Sequence, residues 1–300
     1  MIVFDGTARA SLLEKVLKER VSAVQKKIHI VSFYFTEDSG SRLYTSLKQQ
    51  AAARVGIVYT PEECSFSDSL ETLLARVAAA AGDPSVTGIL IQKPTKKTWL
   101  AALPEEKRVG ERADFATWWS TLTTALPPEK DVDGLAPATL AAIAAGTWLE
   151  QGRVLPATCR AVLVVLEHLM AEYPEKEIDI ISIIGVSDLL GTPLAHVLRH
   201  AGFSVELLRK RDFDASTAEG TQPLQSDCIV TATGVPGLIT AAQILPETVL
   251  IDVGEPKPDV DRESVAEKAF FLTPVPGGVG PLTVLCLLMN AVDLGSTPSM

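Results

Sequence analysis

Apolar positions along the chain recur at two spacings that alternate. A helical spacing runs from Ala8 to Lys26, an apolar strand from His29 to Phe35, a second helical spacing from Ser41 to Val55, and a strand from Gly88 to Gln92. Strands separated by helix-length segments predict a parallel sheet with crossover helices, an α/β fold. Within 41–55, Leu43, Leu47, Ala51 and Val55 recur every fourth residue and form the expected buried stripe, with Tyr44 and Lys48 on an adjacent face. The pattern breaks between Pro94 and Pro127, where a charged excursion carries Lys107 to Phe115 and then Trp118-Trp119. An Ala-rich helix from Ala138 to Ala145 follows, ending at Gly146.

A second series begins near Pro156. It reads as an apolar helix from Ala161 to Tyr173, a strand from Ile178 to Ile184, the turn Gly185-Val-Ser-Asp-Leu-Leu-Gly-Thr-Pro193, a helix from Leu194 to Ala201 and a strand from Ser204 to Leu208. Strands at Cys228 to Thr231 and Val249 to Val253 each close on a glycine turn, Thr233-Gly234 and Gly254. Strand, glycine turn, helix and strand within roughly thirty residues is the Rossmann-type arrangement for dinucleotides. The last landmark is Pro274-Val-Pro-Gly-Gly-Val-Gly-Pro-Leu-Thr283, leading into an apolar helix from Thr283 to Asn290. Glycines let main chain approach a ligand, and a helix start offers unpaired N–H groups. A rigid turn would use the same residues, so both readings stand. There is no internal repeat and no low-complexity tract.

Composition narrows the classes. A chain of 300 residues exceeds one small core and predicts two domains. With 47% hydrophobic and 21% charged residues it has the make-up of a soluble globular protein, and no uninterrupted apolar run reaches bilayer-spanning length. A net charge of −10 argues against a nucleic-acid partner, which demands a basic face. Cys64, Cys159, Cys228 and Cys286 lack metal-ligand spacing and are expected as reduced core residues. The start Met1-Ile-Val-Phe-Asp5 shows no secretory leader, so a cytoplasmic location is expected, with an organelle as the alternative.

Several residues carry candidate chemistry. Tyr44 and Lys48 lie one helical turn apart, so a phenol and an amine can meet and handle a proton; a solvated helix flank is the competing reading. Gln92 ends a buried strand, where open α/β sheets place ligands, against the reading of a plain loop amide. Asp131-Val132-Asp133-Gly134 opens like a calcium loop but lacks the remaining ligands, so no metal is expected and an aspartate there suits the amino edge of a heterocycle. Gly185, Ser187, Gly191 and the N–H groups that open the helix around Thr192 and Pro193 can hold a pyrophosphate. After the second Rossmann strand stands Arg209-Lys210-Arg211 rather than an acid, which suits the 2′-phosphate of NADP, with NAD as the alternative and a solvated basic turn as the bland one.

In chain order these motifs are Ser41-x-x-Tyr44-x-x-x-Lys48 with Gly56-Ile57, Gln92-x-Pro94, Lys130-Asp-Val-Asp-Gly134, Gly185-x-Ser187-x-x-x-Gly191-x-Pro193, Ala232-Thr-Gly234, Ile251-Asp-Val-Gly254 and the loop before Thr283. Together they resemble the bifunctional methylenetetrahydrofolate dehydrogenase/methenyltetrahydrofolate cyclohydrolase family over nearly the whole chain. The resemblance implies a folate-binding catalytic domain of residues 1–149 plus 276–300 and a Rossmann-like NAD(P)-binding domain of residues 150–275. It implies oxidation of 5,10-methylenetetrahydrofolate with NADP and hydrolysis to 10-formyltetrahydrofolate, in one-carbon metabolism serving purine biosynthesis. By the same resemblance Lys48 is the key hydrolytic group, Gln92 positions it or its water, and Tyr44 stacks on the pterin. Asp133 binds the pterin's amino edge, and Pro276, Gly277, Gly278 and Pro281 line a cleft between domains. Thr233, Gly234 and Gly254 join the glycine turn in holding the cofactor, and a homodimer through the nucleotide domain is implied. The chain departs from the family at Val186 (usually basic), at Lys93 (usually apolar), in Pro156-Ala-Thr-Cys-Arg-Ala161, in the excursion at 107–115, and in a Gly-Asp-Val segment read as absent between Glu255 and Lys268. These departures keep two alternatives open, a cyclohydrolase alone and a silent folate-binding homologue.

Overall fold

The computed structural model describes residues 1–103, 114–213 and 223–296; most of the charged stretch 107–115 lies outside them. The strands are β1 (Ile2–Val3), β2 (His29–Phe35), β3 (Val58–Cys64), β4 (Gly88–Ile91), β5 (Ile180–Ile184), β6 (Ser204–Leu208), β7 (Cys228–Thr231), β8 (Thr248–Asp252) and β9 (Ala269–Leu272). The α-helices are α1 (Gly6–Ala23), α2 (Ser39–Val55), α3 (Leu70–Gly82), α4 (Lys96–Ala102), α5 (Phe115–Thr124), α6 (Pro137–Ala145), α7 (Ala157–Glu172), α8 (Gly191–His200), α9 (Arg262–Val265) and α10 (Val279–Ser296). They form two compact units, one of residues 14–142, 147–154 and 287 onward, the other of residues 1–13, 143–146 and 155–286.

The first of these holds a parallel three-stranded sheet in the order β3-β2-β4. Alternation along β2 puts Ile30, Ser32 and Tyr34 on one face and Val31, Phe33 and Phe35 on the other. Helix α2 packs on β2 and β3. It starts where Asp38 caps it, one carboxylate oxygen accepting from the Gly40 N–H at 3.1 Å and the other from Ser41 Oγ at 3.2 Å. It stops at Gly56, which takes the left-handed conformation at φ +85°. Its buried residues are Ser41, Thr45, Lys48, Ala51, Ala52 and Val55, whereas Leu43 is 58% and Leu47 43% exposed. The expected leucine stripe is therefore wrong. With 3.6 residues per turn, a step of four drifts about 40° around the helix each time, so Leu43-Leu47-Ala51-Val55 starts in solvent and only ends in the core.

The excursion after β4 is anchored by aromatic rings. Trp99 of α4 packs on Phe115 and Trp118 of α5, and Trp118 reaches Phe35 and Phe66 beside the end of β2. The Lys93 ammonium sits 5.1 Å from the centre of the Trp119 ring, which accounts for a cation at this position.

The other unit holds a parallel six-stranded sheet in the order β1-β9-β8-β7-β5-β6. The two strands at one edge, β1 and β9, were not legible as strands. Ile2 and Val3 pair with Phe271 and Leu272, and the Phe4 N–H continues the ladder to the Leu272 carbonyl at 2.9 Å. Residues 1–13 thus group with this unit rather than with residues 14–142, and so does the loop 274–278. A Cβ on Gly6 would lie 1.8 Å from the Gly278 carbonyl oxygen, so glycine is obligatory where chain start and loop touch.

Helix α10 begins at Val279, four residues before the expected Thr283, with Gly280 and Pro281 in its first turn, where a missing N–H costs nothing. By length and composition α10 could cross a bilayer, which a search for uninterrupted apolar runs overlooks because Gly280, Pro281, Thr283 and Asn290 punctuate it. Here Leu285, Cys286, Leu287, Leu288 and Ala291 are buried inside the protein.

Candidate active site

In the three-stranded unit the structure brings Lys48, Gln92 and Asp133 together. Lys48 is 5% exposed, and its Nζ donates to Gln92 Oε1 at 2.7 Å. Burial lowers the lysine pKa, while the negative charge of Asp133 pulls it back up. Lys48 is therefore no solvated flank; Tyr44, one turn before it, is half-buried. Asp133 arrives by main-chain pairing: the Ile89 N–H donates to the Lys130 carbonyl at 2.6 Å and the Val132 N–H to the Ile89 carbonyl at 3.3 Å. This lays residues 130–133 along β4 toward the end that carries Gln92. Gly88 makes room, since a Cβ there would lie 2.3 Å from Val132 Cγ1. The two aspartates divide their work. Asp131 is buried, its carboxyl pKa raised by burial, and it accepts from the Ala136 N–H at 2.7 Å to hold the turn; Asp133 stays half-buried. Among the described residues no cluster of three His, Cys, Asp or Glu side chains could hold a metal.

Sequence reasoning missed three residues here. Asp38, besides capping α2, accepts from the Thr95 N–H at 3.3 Å, tying the start of the Lys48 helix to the segment just after Gln92. Ser32 on β2 and Tyr59 on β3 are buried, and neither hydroxyl has a hydrogen-bond partner among the described residues. No spacing rule marks them, because a serine and a tyrosine inside strands look like ordinary strand residues.

In the six-stranded unit a hollow of about 340 Å³ is lined by Gly185, Val186, Ser187, Arg209, Lys210, Ala232 and Thr233. Gly185 adopts φ +123°, and a Cβ there would meet the Ala232 carbonyl oxygen at 2.7 Å. A Cβ on Gly191 would lie 1.8 Å from the Gly185 carbonyl oxygen, so bare main chain forms this turn and α8 packs tightly against it. That is what a dinucleotide phosphate requires. Two expectations need correction. The Thr192 N–H is already used by the Ser187 carbonyl at 3.0 Å and Pro193 has none, so neither opens the helix as a free donor; Ser187 Oγ accepts from the Leu190 N–H at 3.2 Å. Arg209 and Lys210 line the hollow, whereas Arg211 is turned outward beside Asp212.

The far side of the glycine turns is organised by two buried aspartates. Asp259 Oδ2 accepts from Thr231 Oγ1, the Thr233 N–H and Thr233 Oγ1 at 2.7, 2.6 and 2.9 Å. Asp252 accepts from the Gly254 and Val260 N–H groups, and burial pushes its pKa up to about 6. A Cβ on Gly254 would strike Asp259 Oδ1 at 2.6 Å, so Gly254 is a packing glycine; Gly234 is exposed at φ +68°. In the stretch 255–268, where a Gly-Asp-Val segment is read as absent, Asp259 and Val260 are both buried. In the Pro/Gly loop, Gly277 adopts φ +99° and Pro276 is exposed; Gly278 is buried, and a Cβ there would lie 2.5 Å from the Pro274 carbonyl oxygen. For Gly278 the loop's own tight path is reason enough.

Known proteins resemble this chain in sequence and fold. Residues 4–109 match the family model described as tetrahydrofolate dehydrogenase/cyclohydrolase, catalytic domain, and residues 156–297 the one described as tetrahydrofolate dehydrogenase/cyclohydrolase, NAD(P)-binding domain. The bifunctional protein FolD of Leuconostoc citreum is 32% identical over 298 residues, covering 97% of each chain. Among solved structures, the bifunctional FolD methylenetetrahydrofolate dehydrogenase/cyclohydrolase of Campylobacter jejuni superposes with a TM-score of 0.81 at 27% identity, over 98% of each chain. The Trypanosoma brucei enzyme, solved with NADP cofactor and inhibitor, gives 0.80 at 25% identity, over 98% of this chain and 97% of its own.

Proposed function

The chain belongs to the tetrahydrofolate dehydrogenase/cyclohydrolase family, and from that membership we propose that it oxidises 5,10-methylenetetrahydrofolate to the 5,10-methenyl form with NADP and hydrolyses this to 10-formyltetrahydrofolate. The observation that carries the reading is the buried Lys48 amine held at 2.7 Å by Gln92 Oε1 within the field of Asp133. A desolvated amine gives up its proton more readily than an exposed one, so at working pH it can take a proton from water. Hydride transfer asks less of the protein, only that donor and acceptor carbons be aligned.

In this reading Gln92 orients Lys48, Tyr44 stacks on the pterin and Asp133 accepts from its amino edge. NADP, when bound, supplies the hydride acceptor. Gly185 and Gly191 provide the bare main-chain turn for its pyrophosphate, Arg209 and Lys210 the cations for its 2′-phosphate, and Thr233 and Gly234 the neighbouring wall. Residues 14–142 serve mainly as the catalytic part and 155–275 as the nucleotide part. A homodimer through the nucleotide part, a cytoplasmic location and service to purine biosynthesis complete the proposal, supported by family membership. Neither a cyclohydrolase alone nor a silent folate binder has an observation in its favour, since the glycine turn and the Lys48 site are both intact. The test is purified protein with methylenetetrahydrofolate and NADP or NAD, following reduced nicotinamide and the formation and decay of the methenyl species. Reduced nicotinamide with NADP and accelerated methenyl decay are expected; absence of either removes that half of the proposal.

A further inference from the structure

Lys48 and Gln92 are not the only polar groups in their layer. In the register of β2 with β3, Ile30 pairs with Tyr59 and Ser32 with Pro61, which puts Ser32 and Tyr59 on one sheet face. In the register of β2 with β4, Ser32 pairs with Leu90, so Gln92, two residues on, shares that face as well. It is the face that α2 covers, because Gln92 receives the Lys48 amine there. Ser32 is 0%, Tyr59 7% and Lys48 5% exposed.

Within this closed layer the Ser32 hydroxyl lies close enough to act on the Tyr59 phenol as a hydrogen-bonding group, yet the two form no well-aligned hydrogen bond, and neither has another partner among the described residues. Buried hydroxyls are almost always paired, since leaving one bare costs more than filling its place with carbon. Phenylalanine and alanine would fill these two positions without that cost. Two adjacent bare hydroxyls are suited to grip one small oxygen between them, one donating and one accepting. The phenol keeps its proton, because burial raises its pKa and outweighs the lowering by the Ser32 hydroxyl, with the charge of Asp133 adding to the rise, and the same Asp133 charge reaches Lys48.

We propose that Tyr59 and Ser32 hold the water consumed in the hydrolytic step, Tyr59 acting as a positioning residue for the proton transfer to Lys48. The inference rests on the hydrolase reading above. In the step, an O–H bond of the held water breaks and its proton goes to the Lys48 amine, while the oxygen bonds to the methenyl carbon and the C=N⁺ electron pair returns to nitrogen. The bond from that carbon to N5 then breaks, N5 takes the proton from the Lys48 ammonium, and the new hydroxyl loses its proton to solvent as the formyl group forms. One water is used and one proton released.

The test compares Tyr59→Phe, Ser32→Ala and the double variant with the wild type, measuring both reactions and Tm on the full chain. Tyr59→Phe is expected to lower kcat for methenyl hydrolysis about tenfold, leave KM for the folate within twofold, leave hydride transfer within threefold, and not lower Tm. Ser32→Ala should act in the same direction, and the double variant should be no worse than Tyr59→Phe, because both groups act on one water. Equal loss of both reactions with a fall in Tm would make the pair structural and overturn the proposal, as would hydrolysis unchanged in Tyr59→Phe. Wild-type protein that does not hydrolyse the methenyl species would instead sink the functional reading itself, a result seen before any variant is made.

Discussion

At the scale of single residues, the decisive fact is that Lys48 is buried while Leu43 and Leu47 are not. If Lys48 is the hydrolytic base, as proposed, it acts as the neutral amine, so the rate is expected to rise with pH through a limb below the ordinary lysine value of 10.5. Lys48→Met should remove that limb and lower hydrolysis by about a hundredfold or more, with much of the hydride transfer kept. Equal loss of both reactions would mean that Lys48 mainly binds substrate. Stability gives an independent check. The unfolded chain keeps this proton up to about pH 10.5, so the cost of burying the ammonium is largest at low pH and fades as pH climbs from the lowered value toward 10.5. Lys48→Met should flatten that part of the Tm–pH curve. On the nucleotide side, neutralising Arg209 or Lys210 is expected to raise KM for NADP about tenfold and leave NAD unchanged, a magnitude set by one charge-assisted phosphate contact, while Arg211 should matter less. The sequence named these residues because amine, amide and guanidinium advertise their chemistry. It could not name Ser32 or Tyr59, whose interest lies in having no well-aligned hydrogen bond among the described residues.

At the scale of elements, the legible strands β4, β5, β7 and β8 are nearly continuous apolar runs, as buried parallel strands must be. β3 escaped because Val58–Cys64 carries Pro61, Glu62 and Glu63; it is an edge strand, where proline and charge are tolerated. β1 is only two residues long, too short for any periodicity to register, and β9 went unread although β4 and β7 have the same length of four residues. Helix ends were legible only to within a few residues, α10 most poorly, because its first turn is built from residues that usually punctuate. Asp38 makes an element-level prediction possible. Asp38→Ala removes the α2 cap and the tie to Thr95, and should cost about 1 kcal/mol of stability. Because the tie sets α2 against the end of β4, hydrolysis should fall more than hydride transfer. A stability loss with both activities intact would show that Lys48 and Gln92 are aligned by other contacts.

At the scale of the whole molecule, the units are discontinuous in sequence, which no reading of periodicity reveals. NADP should act on one of them selectively. In calorimetry at about a hundred times its Kd, a ligand that binds only the native state adds about 2.7 kcal/mol, so the transition of the six-stranded unit should move up. If the three-stranded unit gains as much by itself, the cofactor assignment is misplaced. The pairing of Ile2 and Val3 with Phe271 and Leu272 carries a consequence for biosynthesis. On the ribosome, Ile2 and Val3 must wait until Phe271 and Leu272 have been made before their strand partner exists. Until then Ile2, Val3 and Phe4 are an apolar segment in search of an edge, and a chaperone that meets nascent chains would find it there.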